Sequence, residues 1–297
     1  MAERFGAIEV GGTKVVCGVG ADPLNFDTVV RIETRDPDST MAEVVDFFRT
    51  AQTKSGPISG IGVASFGPLN VDPRDPRYGQ FFATPKPGWS EYPLRQGLLD
   101  ALGLPVSVTT DVNGALLAEA AYGAALGVSN AVYVTVGTGL GAGILVNDLL
   151  VSGFMHPEVG HMRVPAHGVE GSCPFHKNCL EGLVCGPAIA KRAGKPAEQL
   201  ATNDPLWDDI AINLADMCVN LLCVLSTERI ILGGGVMQAP GLLEKVRTQT
   251  ETRLAGYLPV NSELDGFDTV IVAPGLAELS GLTGALRLIQ TAPSNPI

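Results

Sequence analysis

Long apolar runs are missing from this chain. No stretch of its 297 residues approaches the about 18 consecutive apolar residues that cross a bilayer. Basic residues are scarce. The 20 Lys and Arg face 31 Asp and Glu, giving a net charge of −11, which argues against a nucleic-acid binder. The N-terminus has no basic segment followed by an apolar one, so no secretory signal is read there, and a cytoplasmic protein is expected. Six cysteines in a long chain of that kind point to thiols or metal ligands rather than to disulfides. Of these, Cys17, Cys218 and Cys223 sit in apolar runs and read as core. No segment fits G-x-x-x-x-G-K-[ST], which excludes a P-loop.

What is present reads as a two-domain α/β protein. With 45% hydrophobic residues and 36 glycines, the chain is globular, turn-rich and too long for one comfortable core. Apolar runs at 7–10 and 15–19 flank a glycine turn and predict a hairpin. A strand near 26–33, a helix opened by the capping-box pattern Thr40-x-x-Glu43, and a strand over 58–66 follow. Residues 67–90, with five prolines, predict an irregular excursion. A helix near 91–102 leads to a strand near 105–109, and Asp111 opens an alanine-rich helix to about 125. The pattern then restarts with strands at 131–136 and 142–146 around a second glycine turn, suggesting two related halves. Helices near 184–193, 206–225, 240–254 and 279–290 and strands at 229–232 and near 268–272 complete the alternation. A boundary at 112/113 divides an N-terminal domain, 1–112, from a C-terminal domain, 113–278. The last helix, within 279–297, is expected to return to the first domain.

All four histidines lie between His156 and His176. The run Cys173-Pro174-Phe175-His176-Lys177-Asn178-Cys179 ends that window. Such a knuckle supplies three zinc ligands, and an upstream histidine supplies the fourth. Spacing leaves His156, His161, His167 and Cys185 open as that fourth ligand. A filled Cys/His tetrahedron marks a structural site, because a catalytic zinc keeps one position open.

Three glycine turns directly follow β-runs: Gly11-Gly12-Thr13-Lys14, Gly137-Thr138-Gly139-Leu140-Gly141 and Gly233-Gly234-Gly235. Without a Cβ in the way, backbone amides at such turns can approach phosphate oxygens. Asp111 stands where a strand end meets a helix start. It can cap that helix or take a proton from a hydroxyl, and spacing leaves both roles open.

These residues together resemble the ROK family of bacterial sugar kinases, within the actin/hexokinase/Hsp70 superfamily. The matching segments are EVGGTK (9–14), TTDVNGALLAE (109–119), TVGTGLGAGI (135–144), HPEVGHMRV (156–164), GSCPFHKNCLEGLVCGPAI (171–189), ERIILGGGV (228–236) and GLTGALRL (281–288). They occur in family order over nearly the whole chain, and the CPFHKNCLEGL form looks most like the fructokinase branch. The resemblance implies an actin/hexokinase-like (ribonuclease H-like) fold with the active-site cleft between domains that close on the sugar. It implies ATP and Mg²⁺, a hexose substrate with fructose foremost, and a homodimer. Asp111 becomes the catalytic base, and Asn113, Glu158, His161 and Glu181 sugar contacts. Thr110 stands where the family commonly has Asn, so a hydroxyl would replace part of an amide contact. ATP would lie on Gly11, Gly12, Thr13, Lys14, Gly137, Thr138, Gly139, Gly141, Gly233, Gly234 and Gly235. Glu9 would order the waters of magnesium. Structural zinc would be held by His161, Cys173, His176 and Cys179, within a loop spanning 156–181.

Three other functions would draw on some of the same features. A kinase for an amino sugar such as N-acetylmannosamine shares every phosphate argument. A sugar-sensing regulator needs a helix-turn-helix segment, and the first glycine turn begins as early as Gly11. A zinc-stabilised binding module leaves Asp111 and three glycine turns without a purpose.

Overall fold

The computed structural model describes residues 2–84, 86–258, 266–276 and 279–292. The chain forms two compact units. The first comprises the segment ending at Ala121, Val151–His156 and the segment from Leu276 onward. The second comprises Tyr122–Leu150 and Pro157–Gly275.

In the first unit, β1 (Phe5–Val10) and β2 (Lys14–Gly20) form the expected antiparallel hairpin, which β3 (Thr28–Glu33) extends. Helix α1 (Pro37–Ser55) begins earlier than the capping-box pattern implied. Pro37 presets the first helical turn, and Asp36 caps it by accepting from the Ser39 amide at 2.9 Å. The Thr40 hydroxyl instead accepts from the Arg35 amide. Strands β4 (Ile61–Ser65) and β5 (Val106–Thr110) pair in parallel, giving the order β3-β2-β1-β4-β5. Between them run the irregular proline-rich segment and α2 (Leu94–Leu102). Ile8, Val10, Phe48, Val63, Phe81, Trp89 and Leu98 fill the core on one face of this sheet. Helix α3 (Asp111–Tyr122) leaves β5 without an intervening loop.

The second unit repeats the scheme. Strands β6 (Ala131–Val136) and β7 (Leu140–Val146) form an antiparallel hairpin, and β8 (Leu149–Leu150), too short to read from the sequence, extends it. The helix expected near 184–193 is two helices, α4 (Leu180–Val184) and α5 (Gly186–Ala193), broken at an extended Cys185. The break has a local cause. The Gly186 amide is diverted to the Gly137 carbonyl at 2.8 Å, and Pro187 starts a new first turn. Helix α6 (Leu206–Leu225) is buried along much of its length. Strand β9 (Arg229–Gly233) pairs in parallel with β6, and α7 (Leu242–Leu254) follows. The strand expected near 268–272 is mostly a helical turn, α8 (Phe267–Val270), followed by the two-residue β10 (Ile271–Val272). Gly266 explains the difference: its carbonyl accepts from the Thr269 amide and hydroxyl, each at 2.8 Å. The sheet order is β10-β9-β6-β7-β8.

Helix α9 (Ser280–Thr291) belongs to the first unit. Leu282, Ala285, Leu286 and Ile289 bury themselves against Ala7, Val16 and Ala64. The approach is close enough to require glycine. A Cβ on Gly62 would lie 1.7 Å from the Ala285 carbonyl oxygen, and one on Gly284 would lie 1.7 Å from that of Gly114. Helix α3 is therefore gathered into the first unit, and the break between units falls after Ala121, beyond the 112/113 junction read from the sequence. Residues 293–297 of the expected returning segment lie outside the described residues. No helix among the described residues is long and apolar enough to cross a membrane.

Candidate active site

Asp111 stands at the β5–α3 junction in the first unit. Thr110 is buried, and its hydroxyl accepts from the Asn113 amide at 3.2 Å. The threonine thus caps α3, which engages the hydroxyl that sequence reasoning had offered to a sugar. Asp111, half-buried, accepts from the adjacent Val112 amide at 2.8 Å. Asn113 donates to the Thr109 hydroxyl at 3.1 Å, while its own buried carbonyl oxygen has no hydrogen-bond partner among the described residues. Such an orphaned acceptor is costly and wants a donor. Glu119 is fully buried and accepts from the Leu276 amide at 2.9 Å.

Glu9, the penultimate residue of β1, lies in electrostatic reach of Asp111. Burial, and then the negative charge of Asp111, push its carboxyl from the ordinary 4.5 up to about 7. Gly281 of α9 makes room for it, since a Cβ there would lie 2.6 Å from the Glu9 carboxyl carbon. Two carboxylates that repel one another are a fit partner for a divalent cation.

The two hairpin turns are built alike. In the first, the Gly11 amide donates to the Lys14 carbonyl at 2.9 Å. The amides of Gly12 and Thr13 have no partner among the described residues, and a Cβ on Gly12 would meet only open space. Lys86 brings its ammonium to the carbonyls of Gly12 and Thr34. Sequence reasoning missed this lysine, because it sits in the irregular segment whose path has no periodicity to read. In the second turn the Gly137 amide donates to the Gly139 carbonyl at 2.9 Å. Leu140 donates to Glu181 Oε2 at 2.9 Å. The amides of Thr138 and Gly139 have no partner among the described residues. Each turn therefore offers adjacent backbone donors to an anion.

At the third turn Gly234 has φ of +91° and packs on the Val136 backbone, where a Cβ would come within 2.4 Å. Beside it lies a cavity of about 240 Å³ lined by Gly235, Val236, Gln238, Leu200 and Trp207 among others. An apolar slot with an amide at its edge suits a flat heterocycle.

His161, Cys173, His176 and Cys179 converge in the second unit, with their ligand atoms all within 4.8 Å of one another. Cys173 Sγ lies 3.9 Å from His161 Nδ1 and 3.8 Å from His176 Nδ1, and Cys179 Sγ lies 3.6 Å from His161 Nδ1. Metal–sulfur bonds of about 2.3 Å and metal–nitrogen bonds of about 2.0 Å at tetrahedral angles put sulfur and nitrogen about 3.5 Å apart, so the set fits zinc. The three spare candidates lie elsewhere. His156 is buried, with Nε2 3.4 Å from the Leu69 amide. His167 faces Asp216 at 3.6 Å. Cys185 is buried at the α4–α5 break. Glu158 precedes the short helical turn Val159–His161 and is exposed. His161 directs Nδ1 at the thiols, which leaves Nε2 on the other side of the ring.

Known proteins are similar to this one over nearly the whole chain. The fructokinase of Pediococcus pentosaceus is 41% identical over 98% of this chain and 99% of its own. That of Zymomonas mobilis is 40% identical over 97% of each. Among solved structures, a ROK hexokinase from Thermus thermophilus superposes with a TM-score of 0.78 at 26% identity, covering 95% of this chain and 96% of that one. A ROK glucokinase from Streptomyces griseus, solved with glucose and AMPPNP, gives 0.73 at 23% identity, over 97% and 100%. The family's own sequence pattern matches residues 5–292, and the chain belongs to the ROK family.

Proposed function

We propose that this protein transfers the γ-phosphoryl group of ATP to D-fructose, giving fructose 6-phosphate. The observation that carries the reading is Asp111. Its carboxylate stands at the start of α3, where Thr110 accepts from the Asn113 amide, and within electrostatic reach of Glu9, in a chain 41% identical to a fructokinase. Asp111 accepts the proton of the sugar hydroxyl as that oxygen attacks phosphorus. The outward amides of Gly12, Thr13, Thr138 and Gly139 bind phosphate oxygens, and Lys14 and Lys86 add positive charge at the first turn. The cavity beside Gly235 takes the adenine. Glu158, His161 Nε2 and Glu181 Oε1 take sugar hydroxyls, and Asn113 meets the need of its orphaned oxygen there.

Glu9 would hold a magnesium ion through water, which spreads the charge of the phosphates. His161, Cys173, His176 and Cys179 would hold zinc. Four protein ligands leave that ion no open position, so its part is structural. Cytoplasmic residence and a homodimer complete the reading, the latter checked by sedimentation.

The test is a panel of hexoses and amino sugars with ATP and Mg²⁺, scored by kcat/KM. Fructose is expected to lead, and an N-acetylated amino sugar in first place would overturn the assignment. Asp111→Ala should lower kcat by about 10²–10⁴ while fructose still binds. Near-normal turnover in that variant would remove Asp111 as the base.

A further inference from the structure

We propose that Glu181 is a positioning residue for the nucleotide. It fastens the second phosphate turn to the metal-ligand loop, so that loss of the metal weakens nucleotide binding even without sugar. The inference rests on the reading of residues 137–141 as a phosphate turn.

Residues around the ligand loop and the helix break after it grip this turn at three points. Glu181 stands two positions after the ligand Cys179 and, among the described residues, its carboxylate has one hydrogen-bond partner, the Leu140 amide at 2.9 Å. Gly160, next to the ligand His161, lies under the same residue, and a Cβ there would come 2.2 Å from the Leu140 carbonyl oxygen. Gly186, which opens α5 after the break, donates its amide to the Gly137 carbonyl at 2.8 Å. The turn is also shaped to receive the carboxylate. A Cβ on Gly139 would lie 2.8 Å from Glu181 Oε2, so a side chain there would press on the carboxylate in its present place.

The ligand loop in turn fixes Glu181. The Leu180 amide donates to the Met162 carbonyl at 3.0 Å, and Ser172 donates to the Gly182 carbonyl at 2.8 Å. Gly182 packs so closely on the knuckle that a Cβ would lie 2.1 Å from the Lys177 carbonyl oxygen. A metal drawing His161, Cys173, His176 and Cys179 together would thus hold both walls against which the turn rests. A carboxylate that faces a phosphate turn works against anion binding by charge. Its hydrogen bond to Leu140 explains the placement, because it leaves the Thr138 and Gly139 amides as the outward donors.

Titration calorimetry with AMPPNP and Mg²⁺, in the absence of sugar, reads the effect. Glu181→Ala should weaken AMPPNP about tenfold, whereas Glu181→Gln, which keeps an oxygen acceptor for Leu140, should stay within about threefold. Wild-type protein stripped of metal, and freed of chelator before titration, should lose a similar factor. Stripping Glu181→Ala should add little, because the fastening is already gone. Far-ultraviolet circular dichroism identifies an unfolded variant; if alanine unfolds the chain, Glu181→Asp, one methylene shorter, takes its place. Unchanged AMPPNP affinity in folded Glu181→Ala or Glu181→Asp overturns the proposal, as does unchanged affinity in stripped wild type. Gly139→Val separates this failure from a failure of the phosphate-turn reading. If it weakens AMPPNP while the Glu181 variants do not, the turn stands and the fastening falls. If it too binds normally, the turn itself is misassigned.

Discussion

Glu9 carries a proton that an unfolded chain would surrender. Its carboxyl titrates near 7 in the folded protein against an ordinary 4.5. Between those values the native state is protonated and the unfolded state is not, so stability falls as pH rises toward 7 and levels off above it. Glu9→Gln removes that slope. Urea midpoints taken without divalent cation should match wild type near pH 5 and exceed it at pH 8; an equal offset at both would reject the account. Lys86 makes a second prediction at this scale. Lys86→Met should raise KM for ATP about tenfold or more, the worth of a charged hydrogen bond, with KM for fructose little changed and Lys86→Arg restoring much of the loss. A proportional rise in both KM values would instead indicate a structural role. Single residues differed in how well the sequence announced them. The Cys/His cluster that fits a metal is legible because thiols and imidazoles at short spacing have few other uses. Asp111 is ambiguous in the sequence, because an aspartate at a helix start also caps, and the Thr110 hydroxyl that accepts from the Asn113 amide has no spacing signal of its own.

At the scale of elements, strands and long helices were readable where burial imposes a period, as in α6, whose bounds at Leu206 and Leu225 were read directly. Elements decided by one diverted hydrogen bond were not. The α4–α5 break depends on Gly186 serving Gly137 across the unit, and the early start of α1 depends on Asp36 and Pro37 outcompeting a plausible capping box. Helix α9 shows the cost of close packing. Its glycines look like poor helix formers, yet Gly284 and Gly62 let two backbones touch. Gly284→Ala should therefore destabilise the protein by about 2–3 kcal/mol, read from chemical denaturation. A gain, as helix propensity alone would give, would contradict the contact.

At the scale of the molecule, both units place an antiparallel hairpin beside parallel strands and leave a glycine turn at its tip. The sequence showed that repeat only in style, because what is shared is backbone hydrogen bonding and not side-chain identity. Turn amides, unlike side chains, have no letter in the sequence.

The ligand set has one more consequence. All four candidate metal ligands lie between His161 and Cys179, so a chelate there would close a short loop, and short loops close at little entropic cost. A chain not yet folded can therefore hold the ion as well. Binding to the unfolded state subtracts from the stabilisation that binding to the native state confers. Zinc should accordingly stabilise this protein by less than its affinity suggests, and newly made chains should acquire their metal early.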